Sequence, residues 1–177
     1  TTYNNTFTLD GGEISLSAAN GSLSIDQTST LDTSATAGID GGSINLAATV
    51  GGIGLAGTIR GDKLNYDSAG IGDFGALASS ITAGGFRQLV DLRARSGNVA
   101  IEADDTIATS EFILTADQGA IDIAGTIDAS GSDGGSVEIW ANKALTLKST
   151  ATINAAAKNA KGDGGEVLLA SASEGVV

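Results

Sequence analysis

The chain has 177 residues, a formal net charge of −12, and no Cys, His, Met or Pro. Without Cys or His it cannot form disulfides, thiolate metal sites, or thiol and Ser–His catalytic pairs. Its 21 carboxylates against nine Lys and Arg argue against nucleic acid as a partner, because binding to phosphates needs positive charge. An apolar fraction of 41% is sufficient for a packed core, and no apolar run of about 18 residues is present to span a bilayer.

The first sixty residues contain one pattern twice. An Asp-Gly-Gly corner at residues 10–12 returns at residues 40–42, thirty residues later. Each corner is followed by three short apolar segments, which are Ile14/Leu16, Leu23/Ile25 and Thr30-Leu31, then Ile44/Leu46, Ile53/Leu55 and Thr58-Ile59. Apolar residues two apart are typical of strands with one buried face, whereas a helix would repeat every three to four residues. The fixed period indicates a repeat architecture.

Residues 60–96 do not match this pattern and carry five of the nine basic residues. Two interpretations remain open: an irregular insertion that projects from one corner, or a degenerate repeat whose core is formed by Phe86, Leu89, Val90 and Leu92. Within this segment, the sequence "FRQLVDLRAR" predicts a short helix. Surface loops on a rigid scaffold commonly carry function, so we expect a specific contact here.

After residue 97 the pattern resumes. Asp-Gly-Gly corners recur at residues 133–135 and 163–165. The apolar segments are Val99/Ile101, Thr106-Ile107, Phe112/Leu114, Ile121/Ile123, Thr126-Ile127, Val137/Ile139, Leu145/Leu147, Thr152-Ile153 and Val167/Leu169. Each of them is too short to bury itself alone.

Three short strands per unit, joined by Gly-rich corners, predict an all-β coil in which each turn lays its strands beside those of the turn before. Inward aliphatic residues would stack in columns, among them Leu23, Ile53, Val99, Ile121 and Leu145. Five threonines would form an outward ladder, which consists of Thr30, Thr58, Thr106, Thr126 and Thr152. A two-sheet sandwich is the alternative, but it would normally show two-residue hairpin turns, for which Asn20-Gly21 is a candidate. The recurrence of the Asp-Gly-Gly corner after thirty residues favours the coil over the sandwich.

The stretches "GTIDASGSDGGSVEIWA", "DGGEISLSAANGSLSI" and "DGGSINLAA" resemble the repeats of large secreted exoproteins of the filamentous haemagglutinin family. The resemblance covers nearly the whole chain except about residues 60–96. It implies a right-handed parallel β-helix, here of about 5–6 coils of three short strands. The family's N-terminal secretion domain has Asn-Pro motifs, which a chain without Pro cannot contain, so the resemblance is to the repeat region.

The family resemblance also implies a role and a location. Such exoproteins are exported through the outer membrane of Gram-negative bacteria by a dedicated partner pore and act as adhesins at the cell surface. We therefore expect residues 1–177 to be one β-helix segment of a longer chain, secreted or held at the cell surface and not an enzyme. Extracellular glycans or surface proteins are the expected partners, and self-association along the rod is a further expectation because neither end shows a polar cap.

Two groups of residues are candidates for adhesive contacts. Arg60-Gly61-Asp62 spells a tripeptide that some integrins recognise, and recognition would require it at a protruding loop tip. Arg87, Arg93 and Arg95, with Asp91, form a basic cluster that would suit a polysaccharide lyase, the alternative function on the same scaffold. An ice-binding surface is a third reading of the threonine ladder, but Ala56, Asp104 and Ala124 interrupt its second column.

No cofactor is expected, with one alternative. Asp10, Asp40, Asp133 and Asp163 occupy equivalent corners, and stacked carboxylates are ligands that Ca²⁺ accepts. Asp before Gly-Gly is also an ordinary turn residue that bonds its own backbone. The calcium-binding nonapeptide is absent, because Ala56 stands where that motif, beginning at Gly51-Gly52, needs Asp.

Overall fold

A computed structural model describes residues 11–35, 40–173 and 175–177. It contains seventeen strands and one helix. The elements in chain order are β1 (Glu13–Ser17), β2 (Leu23–Ile25), β3 (Thr30–Asp32), β4 (Ser43–Ala48), β5 (Ile53–Leu55), β6 (Thr58–Arg60), β7 (Lys63–Ser68), α1 (Phe74–Gly84), β8 (Leu89–Ala94), β9 (Val99–Ile101), β10 (Thr106–Ala108), β11 (Glu111–Ala116), β12 (Ile121–Ile123), β13 (Thr126–Asp128), β14 (Ser136–Ala141), β15 (Leu145–Leu147), β16 (Thr152–Asn154) and β17 (Glu166–Ser171).

One long sheet organises the molecule. Its seven strands follow the order β1-β4-β7-β8-β11-β14-β17, and every neighbouring pair is parallel. Each repeat unit contributes one strand, and equivalent residues lie side by side. One such row consists of Ile14, Ile44, Leu64, Val90, Phe112, Val137 and Val167. The predicted parallel β class is therefore confirmed.

The two shorter segments of each unit also pair with their equivalents. They form the sheets β2-β5, β3-β6, β9-β12-β15 and β10-β13-β16, all of them parallel. Leu23 lies beside Ile53, and Ile121 lies between Val99 and Leu145, as the repeat predicts. The predicted column is thus present as two stacks rather than one.

The core lies between the long sheet and the short sheets. Side chains alternate between buried and more exposed along each central strand, as in Glu111–Ala116. Ile44, Leu64, Leu114 and Ile123 are each completely buried. Fully burying one aliphatic side chain contributes about 1.5–3 kcal/mol, so the stacked rows supply the main stabilisation.

Residues 60–96 contribute two strands of the long sheet with a helix between them. β7 and β8 pair in register, Leu64 beside Val90 and Tyr66 beside Leu92. Helix α1 therefore stands where the other units have two short strands. It packs against β6 in the preceding unit and against β9 and β10 in the following one.

The prediction of a helix in "FRQLVDLRAR" was wrong, because this stretch contains β8. The helix lies upstream, where Phe74, Leu77, Ala78 and Ile81 follow the spacing of one buried helical face. Asp73 caps its N-terminus by accepting a hydrogen bond from the Ala76 amide at 2.9 Å. No helix among the described residues is long and apolar enough to cross a membrane.

The Gly-Gly corners bring neighbouring units close together. Gly134 and Gly164 both have a φ of +83°, a left-handed conformation that favours glycine. A Cβ on the next residue, Gly135, would overlap the carbonyl oxygens of Ser110 and Ala129. The second glycine is therefore required by the adjacent backbone rather than by its own conformation.

Candidate functional site

The predicted threonine ladder is divided into two parts. Thr30 pairs with Thr58, and Thr106, Thr126 and Thr152 form a second row. Helix α1 separates the two rows because it replaces the corresponding strand of its unit. Thr126 is half-buried and the others are exposed. A continuous outward ladder of five threonines is therefore not formed, and neither is the flat array that an ice-binding surface needs.

Arg60-Gly61-Asp62 does not form a protruding loop tip. Gly61 is buried, and a Cβ there would overlap the Thr33 hydroxyl oxygen. The Asp62 carboxylate accepts a hydrogen bond from the Gly41 amide in the neighbouring corner, and Arg60 lies 3.6 Å from Asp32. The tripeptide is thus part of the corner structure, and the requirement for integrin recognition is not met.

Arg93 and Arg95 lie on the outer side of the long sheet and are engaged by carboxylates. Arg93 donates from Nε to both carboxylate oxygens of Asp117 at 3.1 Å. Arg95 donates to both carboxylate oxygens of Asp67 at 2.7 and 2.6 Å, and its Nη1 is 3.6 Å from Asp117. These guanidinium groups are therefore already paired, which weakens both the predicted adhesive cluster and the lyase reading.

Arg87 is not part of that cluster. It is exposed and lines a separate small pocket of about 180 Å³ with Asp128 and Lys158. Hydrogen bonds from the Ser130 hydroxyl and amide lower the pKa of Asp128, so this carboxylate stays charged beside the two cations. The four basic candidates thus lie at three different places on the surface.

The pKa of Asp91 is shifted upward, in the opposite direction from the pKa of Asp128. Asp91 points outward from β8 between Asn65 and Ile113. Desolvation raises the pKa of Asp91, while the positive charge of Arg93 partly offsets the effect.

The corner aspartates do not form one column. Asp40 and Asp133 belong to units separated by three strands of the long sheet, and Asp163 follows Asp133 in the next unit. Asp10 lies outside the described residues. Within the described ranges no group of three or more acidic side chains is arranged to hold a metal ion.

An open groove of about 780 Å³ lies beside the corners, and we call it the corner groove. One wall is an outward row of the long sheet, and the other is formed by two Gly-Gly corners. The row consists of Lys63, Leu89, Glu111, Ser136 and Glu166, and Gln88, Ser110, Asp133, Gly134, Gly135, Gly164 and Gly165 complete the lining. Four steps between strands at about 4.8 Å make this row about 19 Å long.

The charged groups of the corner groove differ from the paired arginines. Glu111, Asp133, Glu166 and Lys63 form no ion pair with any residue that the structure describes. Together with the hydroxyls and the amide of Gln88, they provide free hydrogen-bonding groups along an extended depression. The arrangement suits a long polar ligand that lies along the sheet.

Apolar side chains lie on the same outer face. Trp140 is 46% exposed and Leu168 is 37% exposed, on the neighbouring strands β14 and β17. Ile113 points outward from β11 in the same region. The exposed indole offers a stacking platform on the outer face of the sheet, on the same strand as Ser136 of the corner groove but four residues further along.

Sequence reasoning identified the corners but not the corner groove or Trp140. The groove is assembled from five units, and its residues are distant in sequence. The signal available beforehand was the repeat register, which places Lys63, Leu89 and Glu111 at equivalent positions once the unit containing α1 is aligned correctly.

Comparison of the chain with known protein families, curated proteins and solved structures found no match.

Proposed function

We propose that the chain is a right-handed parallel β-helix that forms a shaft segment of a secreted or surface-held bacterial exoprotein of the filamentous haemagglutinin type. In this proposal its role is structural and adhesive rather than enzymatic. It is exported by an outer-membrane partner pore, and successive units or copies extend the rod. Extracellular glycans are the ligands that we propose for its outer surface.

One observation carries the proposal: seven parallel strands, one from each unit, stack in register with equivalent aliphatic residues side by side. Such stacking adds length with each unit, and hydrogen bonds between units make the rod stiff. Outward residues then recur at each strand spacing along the axis. A repeated surface of this kind suits weak contacts that add through multivalency.

The corner groove is the place where we expect glycans to bind. Its carboxylates, amide and hydroxyls are matched to sugar hydroxyl groups, and its length suits a polymer rather than a single sugar. Trp140 would stack on a sugar ring at the edge of the same face. Each single contact is weak, so binding should depend on dense display of the protein or of the glycan.

A glycan array probed with protein displayed on beads tests this role. We expect binding to a subset of polysaccharides, reduced at least about tenfold in the double variant Glu111→Gln and Glu166→Gln. The matched control is the double variant Arg93→Ala and Arg95→Ala, which should retain binding because those arginines are already paired. Absence of glycan binding at high display density, or loss in the control alone, would contradict the proposal.

The alternative of a polysaccharide lyase predicts turnover. Incubation with anionic polysaccharides would then produce new unsaturated ends, and the product would disappear in Arg93→Ala. We expect no such product, because the arginine guanidinium groups are held by Asp67 and Asp117.

A further inference from the structure

The small pocket beside Arg87 is assembled from four successive units, and we call it the Arg87 pocket. Its lining consists of Arg87, Ala108, Thr109, Ser110, Asp128, Ser130 and Lys158. The Ser110 amide donates to the Arg87 carbonyl at 2.7 Å, and Lys158 Nζ donates to the Ser130 carbonyl at 3.3 Å. Three strand spacings of about 4.8 Å separate the backbones of Arg87 and Lys158, so the two long side chains approach the pocket from opposite sides.

Neither cation of the Arg87 pocket is neutralised by an ion pair. Arg87 and Lys158 form no salt bridge with any residue in the described ranges, in contrast to Arg93 and Arg95. Asp128 is the one carboxylate of the lining, so the pocket has one net positive charge. On a chain with a net charge of −12, a positive pocket of about 180 Å³ favours a small anion.

A buried hydroxyl of the same pocket has no partner. Thr109 is 4% exposed, and its hydroxyl oxygen makes no hydrogen bond with any residue that the structure describes. The equivalent Thr33 donates its hydroxyl to the Arg60 carbonyl at 3.0 Å. Both amides bond the next unit in the same way, Thr33 to Arg60 and Thr109 to Asp128. Because buried hydroxyls are nearly always bonded, the spare group at Thr109 indicates a partner that the chain itself does not supply.

Asp128 adds a hydrogen-bond acceptor to this cationic pocket. Its Oδ1 accepts from the Ser130 amide at 2.9 Å and from Asn154 Nδ2 at 3.2 Å, whereas its Oδ2 accepts no hydrogen bond from a described residue. A charged carboxylate accepts but cannot donate, so an anion beside it must bring its own proton. A phosphate ester has a second pKa of about 6 and still carries a P–OH group near that pH, whereas sulfate carries none.

We propose that the Arg87 pocket binds a phosphate group in its protonated, singly charged form. Arg87 and Lys158 bind the charged oxygens, the hydroxyls of Thr109 and Ser110 donate to them, and Asp128 accepts the P–OH proton in a hydrogen bond. The side chains of Arg87 and Lys158 are exposed, so the group can enter as a free ion or as an ester whose remainder lies in solvent. This inference does not depend on glycan binding at the corner groove.

The test titrates inorganic phosphate, methyl phosphate and sulfate into the isotope-labelled protein at about pH 6 and constant ionic strength. We expect saturable NMR shifts at the amides of Thr109, Ser110 and Ser130 with a phosphate probe, and a millimolar or lower Kd. Sulfate should bind at least about tenfold more weakly, because it cannot donate to Asp128. Comparison of the two phosphate probes distinguishes a site for the free ion from a site that accepts an ester.

Three variants locate the site. Lys158→Gln should weaken phosphate binding at least about tenfold, whereas Lys161→Gln, which removes the same charge from an exposed position outside the pocket, should change it less than about twofold. Asp128→Asn should abolish the preference for phosphate over sulfate, because an amide can donate to either anion. A variant that merely lost structure would bind neither anion. Circular dichroism melting verifies that the variants fold.

Three results would overturn the proposal. They are equal binding of phosphate and sulfate by the unaltered protein, no saturable shift with either phosphate probe at tens of millimolar, and equal losses in Lys158→Gln and Lys161→Gln. The comparison of anions uses the unaltered protein, so the test remains decisive even if a variant fails to fold.

Discussion

Close approach between neighbouring backbones makes specific glycines essential at the residue scale. A Cβ at Gly135 would overlap two carbonyl oxygens, whereas one at Gly52 would meet nothing within 4 Å. We expect Gly135→Ala to destabilise the protein by about 1–3 kcal/mol, as overpacking does elsewhere. Gly52→Ala should be neutral or stabilising by up to about 1 kcal/mol, because it restricts the unfolded chain. Urea unfolding of both variants measures the difference, and equal effects would contradict the stacking of corners.

The alternation of inward and outward residues gives a second prediction. Ile123 is completely buried, whereas Thr126, the first residue of the strand β13, is half-buried. Ile123→Asp should abolish cooperative folding, because it places an unpaired charge in an apolar row. Thr126→Ser should be tolerated within about 1 kcal/mol. Circular dichroism melting compares the two variants. Similar melting curves would contradict the assignment of Ile123 to the inward face and of Thr126 to the outward face.

The raised pKa of Asp91 predicts that the stability of the protein depends on pH. Burial raises the pKa of Asp91, so its charged form destabilises the folded state at neutral pH. This penalty disappears as the pH falls through the raised folded pKa towards the unfolded value of about 3.9. We expect Asp91→Asn to raise Tm by about 1–3 °C at pH 7, since half-exposed groups are partly screened by solvent.

A matched control distinguishes this effect from a general loss of negative charge. Glu138→Gln removes a carboxylate from the same outward row of the long sheet, which also contains Asp91 and Ile113. The Tm gain of Asp91→Asn should shrink as the pH falls below the raised folded pKa and be lost towards about pH 3, where Asp is largely protonated in both the folded and the unfolded state. A gain that is constant from pH 7 to pH 3, or equal in the control, would contradict the assignment.

Much of the residue-level pattern was predictable from the sequence. Pairs such as Ile121/Ile123 and Val137/Ile139 alternate strictly, and an alternating pattern determines which side of a strand is buried. The roles of single polar residues were not predictable. Arg95, for example, is paired with Asp67, which lies 28 residues earlier in the chain on the strand β7. The two side chains come close only because β7 and β8 pair side by side in the long sheet.

At the element scale the main departure from the repeat is helix α1, which stands where the other described units have two short strands. Asp73 accepts from the Ala76 amide and satisfies one of the free donors of the first turn. We expect Asp73→Ala to cost about 1 kcal/mol of stability. Asp104→Ala, at an exposed position in the turn between β9 and β10, is the control and should cost less than about 0.5 kcal/mol. Chemical unfolding measures both, and equal losses would mean that the cap has no role.

Helix α1 could not be predicted from the sequence, and the reason is physical. Its sequence, FGALASSITAG, consists mostly of small residues, with a glycine near each end, and it lacks the long straight-chain residues that favour helices. Packing against β6, β9 and β10 stabilises it, so tertiary contacts rather than intrinsic propensity determine its conformation. The strand β8 was missed because Phe86, Leu89 and Val90 stand three and four residues apart, which is also the spacing of one helical face.

At the scale of the whole molecule, the repeat places every unit one strand spacing from the last. The thirty-residue echo predicted this parallel stacking, but it did not predict that some units are shorter, as between β8 and β11. The corner groove arises at this scale, because one outward residue from each of five units lines it. The charged residues of the corner groove can be read from the sequence, but only the pairing register of the long sheet shows that they lie side by side.

Distances along one outward row test the central claim of stacked units most directly. The row contains Ser17, Ala47, Asp67, Arg93, Thr115, Trp140 and Ala170. Because the chain has no native Cys, spin labels can be attached to introduced cysteines alone. Double electron–electron resonance from position 17 to positions 115, 140 and 170 should give mean separations that increase by about 4.8 Å per unit, close to 19, 24 and 29 Å. Separations that do not increase in this order would contradict the stack and the shaft that we propose.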